Sequence, residues 1–365
     1  MKLRILSPLP KKRSRRCNIE GFVMKPYLSV IIPYFNAPEK LTRLLETIGK
    51  SKKAPLYEVI VVNDGSFLPI TIHNLHISGA LKKNIRVVHL KTNKGPAVAR
   101  NRGAAVARGE FIVFLDGDVE VFPDTLSEIA KIFIDDPDVV ALTGVWVKEQ
   151  KSKEFFPNFK ALRDWSYWIN ERDKSGYYFL FSTRIAAIKK AVFDRLGGFD
   201  QAYPAPLVED IELTYRIARR YAIIFAPKVR VRHEFEGFFP IAKKYFLRAY
   251  YWTKLYARRK RFDPVATTLQ EALTTLSGVG VLAFGSVSVV AIISTLGQFT
   301  LPVQIVGSLF IAILVLHLFL TSKFLLFVYH ERGLVFAMRS FVTGLVLYCF
   351  IFAGAFLGRI IHGRS

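Results

Sequence analysis

The chain has 365 residues, enough for one large domain with an accessory region. Its two cysteines, Cys17 and Cys349, are far apart and one lies in an apolar run, which excludes a disulfide framework and fits a reducing compartment. The formal net charge is +23, but the basic runs "KKRSRR" (11–16) and "KKYFLRAYYWTKLYARRKR" (243–261) are placed so that the second borders an apolar tail, which favours anionic lipid over nucleic acid as partner.

Residues 1–26 form a basic N-terminal tail without periodicity or a secretory signal, and Met24 stands as a second candidate start. From residue 27 the pattern alternates. "YLSVII" (27–32) reads as a buried strand, and residues 36–48 place Leu41, Leu44, Leu45 and Ile48 at helical spacing behind Asn36 and Pro38. Strands follow at 57–62, 85–90 and 110–115, with helices at 96–109 and 124–134. Continuous apolar strands alternating with helices predict an α/β fold whose mainly parallel sheet carries helices on both faces, with ligands at the carboxyl ends of the strands. Later, 141–147 reads as a strand, 187–200 as a helix ending at Gly197 and Gly198, 207–220 as a helix and 229–235 as a strand.

After about residue 265 charge becomes sparse. Segments 276–296, 302–320 and 341–358 are each long and apolar enough to span a bilayer, giving a C-terminal α-helical transmembrane region over 273–362. Residues 241–272 read as a basic amphipathic juxtamembrane segment, and 27–240 as the catalytic domain. The positive-inside rule puts residues 243–261, with Lys323, Arg332 and Arg339 in the loop after the second span, on the cytoplasmic side; Arg359 and Arg364 then fall on the far side, against the rule.

Polar motifs end the predicted strands. In "FLDGD", Asp116 and Asp118 bring two carboxylates together, a suitable arrangement for a hard divalent cation; a solvated acidic turn is the plain alternative. Asp64 ends a strand in "VVNDGS", where a carboxylate can accept from a base imide, although Asn-Asp-Gly-Ser is also good turn chemistry. Lys94, Arg100 and Arg102 either meet phosphates or form a solvated basic face. "EDIE" opens a helix, where Glu209 and Asp210 complement the helix dipole or place a base. His233 is a lone histidine, a structural residue or a ligand. Neither a G-x-G-x-x-G fingerprint nor a phosphate-binding G-x-x-x-x-G-K-[ST] loop is present; the "GKS" at 49–51 has Leu44 where that loop needs glycine.

Taken in order, "SVIIPYFN", "VIVVNDGS", "NKGPAVARNRG", "GEFIVFLDGD", "LGGFD" and "VEDIELTYRI" resemble the family 2 glycosyltransferases, over about residues 27–235. The resemblance implies a GT-A nucleotide-diphospho-sugar transferase fold and an inverting transfer from a nucleotide-diphosphate donor. It implies that Pro33, Asn36 and Asp64 lie around the nucleoside and that Arg100 lies near the donor phosphates. Asp116 and Asp118 then form the donor and metal motif with Mg²⁺ or Mn²⁺, His233 supplies a further metal position, and Asp210 is the base with Glu209 beside it. The expected acceptor is a hydroxyl on a lipid or lipid-linked glycan in cell-envelope synthesis, reached from the cytoplasmic face of the cytoplasmic membrane. A polyprenyl-phosphate glycosyltransferase and a non-catalytic membrane scaffold are the alternatives. The chain departs from the family in "FLPI" after "DGS", where an acidic residue is common, and it lacks the "QxxRW" pattern of processive synthases.

Overall fold

The structure, a computed structural model, describes residues 25–362 apart from 69, 72–76, 172–177, 204–206, 264–267 and 295–299. The basic run 11–16, Cys17, Met24, Arg364 and the end of the first expected span therefore lie outside the described residues.

The strands are β1 (Leu28–Tyr34), β2 (Tyr57–Asp64), β3 (Ile85–Leu90), β4 (Phe111–Leu115), β5 (Val119–Val121), β6 (Ala141–Trp146), β7 (Ile185–Lys189) and β8 (Ile223–His233). They form one sheet in the order β3-β2-β1-β4-β7-β6-β8-β5. The expected parallel order holds for β3-β2-β1-β4 and for β6 with β8, whereas β7 runs antiparallel to β4 and β6, and β5 antiparallel to β8. The sheet is therefore mixed. Its polarity still brings one set of ends together. The carboxyl ends of β1, β2, β3, β4, β6 and β8 and the amino end of β7 share a single edge.

The helices of the sheet domain are α1 (Pro38–Gly49), α2 (Gly79–Lys82), α3 (Pro96–Val106), α4 (Thr125–Asp135), α5 (Phe155–Ile169), α6 (Lys190–Arg195) and α7 (Glu209–Ile217). Leu41, Leu44, Leu45 and Ile48 make the buried face of α1, as their spacing predicts. One expectation fails here. The helix expected over 187–200 is split: Ile185–Lys189 is the strand β7, and only Lys190–Arg195 is helical. Alanine-rich sequence favours a helix locally, but Ala186 and Ala187 sit fully buried between β4 and β6, where pairing on both sides overrides propensity. Helix α5 was not anticipated at all.

Four long helices complete the chain: α8 (Phe238–Arg259), α9 (Leu269–Ser294), α10 (Leu301–Arg332) and α11 (Leu334–His362). The last three are long and apolar enough to cross a membrane. They extend beyond the expected spans, and no loop follows the second: Gly333 alone joins α10 to α11, with Lys323 and Arg332 inside α10 and Arg339 inside α11. At ~1.5 Å per residue α10 is ~48 Å long, more than the ~30 Å hydrocarbon core. Its final turns meet the sheet domain, where Phe324 packs on Phe159, Phe327 stacks on Trp165, and Arg332 donates to Asn158 at 3.2 Å.

Helix α11 meets α5 near its start and runs along α8 for the rest of its length. Phe336 packs on Phe155, Leu347 joins a core with Phe159 and Ala242, and Phe350 packs on Phe238. Gly354 and Gly358 lie directly against the α8 backbone. A Cβ on Gly354 would collide with the Phe246 carbonyl, and one on Gly358 would stand 2.6 Å from that of Tyr250. The opposite face of α11 exposes Val335, Met338, Val342, Val346 and Phe356.

Candidate active site

The shared sheet edge gathers the residues marked by the sequence, but in distinct settings. Asp64 is buried at the end of β2. Its Oδ1 accepts from the Lys94 N–H at 2.8 Å and its Oδ2 from the Gly95 N–H at 2.8 Å, so it pins the loop that leads into α3. Gly65 follows at φ 70°, and a side chain there would strike the Thr92 backbone. Asn36 follows β1 with φ 47°; its N–H donates to Ser66 Oγ and its Oδ1 accepts from the Phe67 N–H, both at 3.0 Å. The loops after β1 and β2 are thus tied together beside Pro33, the partner of Val62 in the parallel register.

Arg100, on α3, is 2% exposed and bridges two carboxylates. Nη2 donates to Asp116 at 2.6 Å and Nη1 to Glu209 at 2.8 Å. Burial opposes its charge, but Asp116 and Glu209 outweigh that and raise its pKa. Arg100, expected near donor phosphates, has both Nη atoms engaged with carboxylates and lines the cavity described below. Glu209 is equally enclosed: its second oxygen accepts from the Leu207 N–H at 2.9 Å.

Asp118 and Asp210 are the members of the two acidic motifs that Arg100 does not hold. Register explains the surroundings of Asp118. Val119 pairs with His233 across β5 and β8, which sets His233 Nε2 3.6 Å from Asp118 Oδ1; Lys40 Nζ lies 3.8 Å from Oδ2. Burial first, then the Arg184 charge, hold the His233 imidazole down to about 3, so it is neutral and able to ligate. Its Nδ1 is buried without a hydrogen-bond partner, which leaves Nε2, facing Asp118, as the ring's polar outlet. A carboxylate and a neutral imidazole so close fit a divalent cation. No group of three His, Cys, Asp or Glu among the described residues forms a complete cage, so further ligands would come from diphosphate oxygens or water.

Asp210 stands in the first turn of α7, half-buried, with Oδ1 accepting from the Ile211 N–H at 2.8 Å. Burial first, then the Glu209 charge, push its carboxyl up from the ordinary 3.8 to about 7, against the pull of Arg248 and Arg100. A base poised near neutrality is suited to accept a proton from a hydroxyl.

Asp116, Asp210 and Arg100 line a cavity of about 600 Å³ that leaves the sheet edge, passes between α5 and α8, and continues along α9 and α11. Its walls carry Lys160, Arg163 and Asp164 of α5, Arg184 before β7, and Arg248 of α8. The sequence marks none of these as site residues; Arg248 is read there only as part of the basic run 243–261. The signal was present in "KALRDWSY", where Lys160, Arg163, Asp164 and Tyr167 share one helical face.

The fold and this strand-end chemistry define a nucleotide-sugar transferase class, and the comparisons agree. Residues 29–197 match glycosyl transferase family 2, and this part of the chain is a family 2 glycosyltransferase domain. The uncharacterized glycosyltransferase YibD of Escherichia coli is 35% identical over 123 residues, 33% of this chain and 34% of YibD. The pre-mycofactocin glycosyltransferase of Mycobacterium tuberculosis is 29% identical over 213 residues, 57% of this chain and 42% of that protein. The chain thus covers well under half the length of these curated relatives. Among solved structures, the mannosyltransferase PcManGT of Pyrobaculum calidifontis, solved with GDP-Man and Mn²⁺, superposes with a TM-score of 0.52 at 17% identity, covering 94% of this chain and 89% of that one. The superposed region therefore includes C-terminal helices as well as the sheet domain.

Proposed function

We propose that the protein is a membrane-anchored inverting glycosyltransferase that moves a sugar from a nucleotide-diphosphate donor to a hydroxyl of a lipid or lipid-linked glycan. The observation that carries this reading is the continuous cavity from Asp210 to the apolar helices α9 and α11. A water-soluble acceptor needs no such route. The division into tail 1–26, catalytic domain 27–240, juxtamembrane segment 241–272 and membrane region 273–362 belongs to the same proposal, as does its place at the cytoplasmic membrane with the catalytic domain facing the cytoplasm.

The donor would lie over the β1, β2 and β3 ends, its nucleoside near Pro33, Asn36 and Asp64. Asp118 and His233 would hold Mg²⁺ or Mn²⁺, which when bound stabilises charge on the departing diphosphate. Arg100 clips Asp116 to Glu209 and so fixes the backbone from which Asp210 projects. Asp210 takes the proton from the acceptor hydroxyl as the glycosidic bond forms on the far face of the sugar. Screening the full-length protein in lipid against a panel of nucleotide sugars, by released nucleoside diphosphate, tests the activity. Release that occurs with no nucleotide sugar of the panel, with or without lipid extract, refutes it and favours the scaffold alternative.

The contacts of α11 support a specific membrane arrangement. Each part of it meets α5 or α8, and α8 is held to the sheet domain by Arg258 near Asp200 and by Arg259 over the Tyr215 ring. A helix upright in the bilayer meets such a domain at one end only. Helices α9 and α10 then cross as a hairpin, while α11 lies in the membrane plane with its apolar outer face in lipid. Arg359 would return to the side of the catalytic domain, which removes the charge conflict of the three-span reading. A topology reporter fused after the C-terminus should fall on the same side as one in the catalytic domain. Opposite sides would restore three spans.

A further inference from the structure

The cations around the cavity are not equally matched. Arg100 is bonded to Asp116 and Glu209, Lys160 is bonded to Asp164, and Arg163 lies 3.4 Å from Glu171. Arg184 lies 3.7 Å from Asp164 and 4.4 Å over the Trp146 ring. Arg248, half-buried on α8, has no such counterpart. Its Nε is buried without a hydrogen-bond partner, and no carboxylate among the described residues forms an ion pair with it.

Packing sets this charge against Asp210. Val208 and Ile211, which bracket Asp210 in sequence, share one apolar cluster with Leu247, Tyr251 and Leu255 of α8. The cluster seats the middle of α8 on the first turn of α7, and Arg248 and Asp210 both line the cavity there. From the other side α11 fixes the same stretch of α8. Gly354 abuts Phe246 and Gly358 abuts Tyr250, on either side of Arg248.

The charged groups that act on Asp210 are Glu209 of α7, Arg248 of α8, Arg100 of α3 and Asp116 after β4. Lys160, Asp164 and Arg184 share the cavity with them. Burial and the two acids favour a neutral carboxyl, and the two arginines favour a carboxylate. Arg100 is already matched by both acids, and Arg248 exerts the larger pull of the two. Since no ion pair joins Arg248 to Asp210, its field acts without occupying the lone pairs that a proton needs.

We infer that Arg248 is a positioning residue for the reaction: its charge, held across the cavity by the packing of α8 on α7, keeps Asp210 ionised and ready for the acceptor hydroxyl. This rests on the reading of Asp210 as the base.

The test needs no substrate. The unfolded chain releases the Asp210 proton near 3.8, so the more firmly the folded carboxyl keeps it, the further up the pH scale the loss of stability runs. Thermal melts of the full-length protein in nanodiscs of neutral lipid, from pH 4 to 9, compare wild type with Asp210→Asn, and Arg248→Gln with the double variant. The first difference should end near pH 7. The second should end at least about one pH unit higher, as expected when an opposite charge is removed. Arg248→Lys should return the end point toward that of wild type, which lost packing would not allow. Should Arg248→Gln not fold, Arg248→Met, which keeps the apolar stem, gives the same comparison. End points that coincide with and without Arg248 overturn the inference. So does an effect of Arg248→Gln that is equally large in the absence of Asp210, since the charge would then act on Lys160 and Asp164. The melts follow the Asp210 proton whether or not it is the base, so their outcome is separate from the turnover of Asp210→Asn, on which the reading beneath the inference stands or falls.

Discussion

In each of the two acidic motifs one carboxylate is held by Arg100 and its near neighbour is not. Asp116 and Glu209 close on opposite ends of the Arg100 guanidinium, at 2.6 and 2.8 Å. Asp118 faces a neutral histidine across 3.6 Å, and Asp210 faces the cavity. Paired acids in a motif are therefore not interchangeable copies. The member held by Arg100 keeps the backbone in place, and the other retains free lone pairs for a cation or a proton. Arg100 joins the motifs, so the two sides of the proposed site share one anchor.

The comparison is broken most directly at Asp118. Asp118→Ala should lower sugar transfer roughly a thousandfold, the several kcal/mol that cation stabilisation of a leaving group is worth. Excess EDTA should do the same to wild type, with recovery on adding Mg²⁺ or Mn²⁺. Full activity in chelator would place Asp118 among structural residues.

Asp210→Asn keeps the shape and removes the basicity. We expect kcat to fall at least about a hundredfold while calorimetric binding of nucleoside diphosphate with Mn²⁺ stays unchanged. For wild type, kcat/KM should rise with pH to a plateau above about 7, as the Asp210 carboxyl ionises. Stability moves the other way. The folded protein keeps at Asp210 a proton that the unfolded chain releases near 3.8, so this group's contribution declines as pH rises from about 4 to about 7. Thermal melts of wild type across that window should show the decline, and Asp210→Asn should lack it. An unaltered slope in the variant would place the titrating group elsewhere.

Glu209→Gln sharpens the contrast, because it alters the acid that Arg100 holds next to the one that it does not. Losing a charge-assisted hydrogen bond to a buried arginine should cost about 1.5–3 kcal/mol of stability, read as a lowered Tm, with activity reduced less than tenfold. A hundredfold loss of kcat at unchanged Tm would exchange the roles of the two residues. The smallest effect belongs to Lys40, exposed and 3.8 Å from Asp118. Lys40→Ala should change stability by less than about 1 kcal/mol. A clear rise in apparent cation affinity, as a competing positive charge is removed, is the outcome to look for in Mn²⁺ titrations.

The sequence displayed the half of the site that follows strand periodicity. Apolar runs 57–62 and 110–115 ended where Asp64 and Asp116 begin, and parallel pairing then carried those ends to one edge. It did not display which acids Arg100 would hold, because Arg100 and Glu209 are 109 residues apart and meet only through the tertiary fold. Helix α5 was missed since its inward face mixes Lys160, Arg163 and Asp164 with Phe159 and Leu162, which blurs the apolar stripe of an amphipathic helix. Strand β7 was missed for the opposite reason: "IAAIK" has helix-forming residues in a position fixed by β4 and β6.

Helix α3 carries Arg100 and rests on the sheet through Gly103. A Cβ at that glycine would stand 2.5 Å from Ile31 Cγ2 and 3.1 Å from Val62 Cγ2. Gly103→Ala would have to part α3 and Ile31 by about 1 Å to restore ordinary contact, and Arg100 would carry Asp116 and Glu209 with it. A misplacement of about 1 Å at a reacting group can cost on the order of a hundredfold in rate. A mutational scan scored only on turnover would therefore mark Gly103, a residue with no functional group, alongside Asp118 and Asp210, and a parallel measurement of donor affinity would be needed to tell a displaced scaffold from a missing reactant.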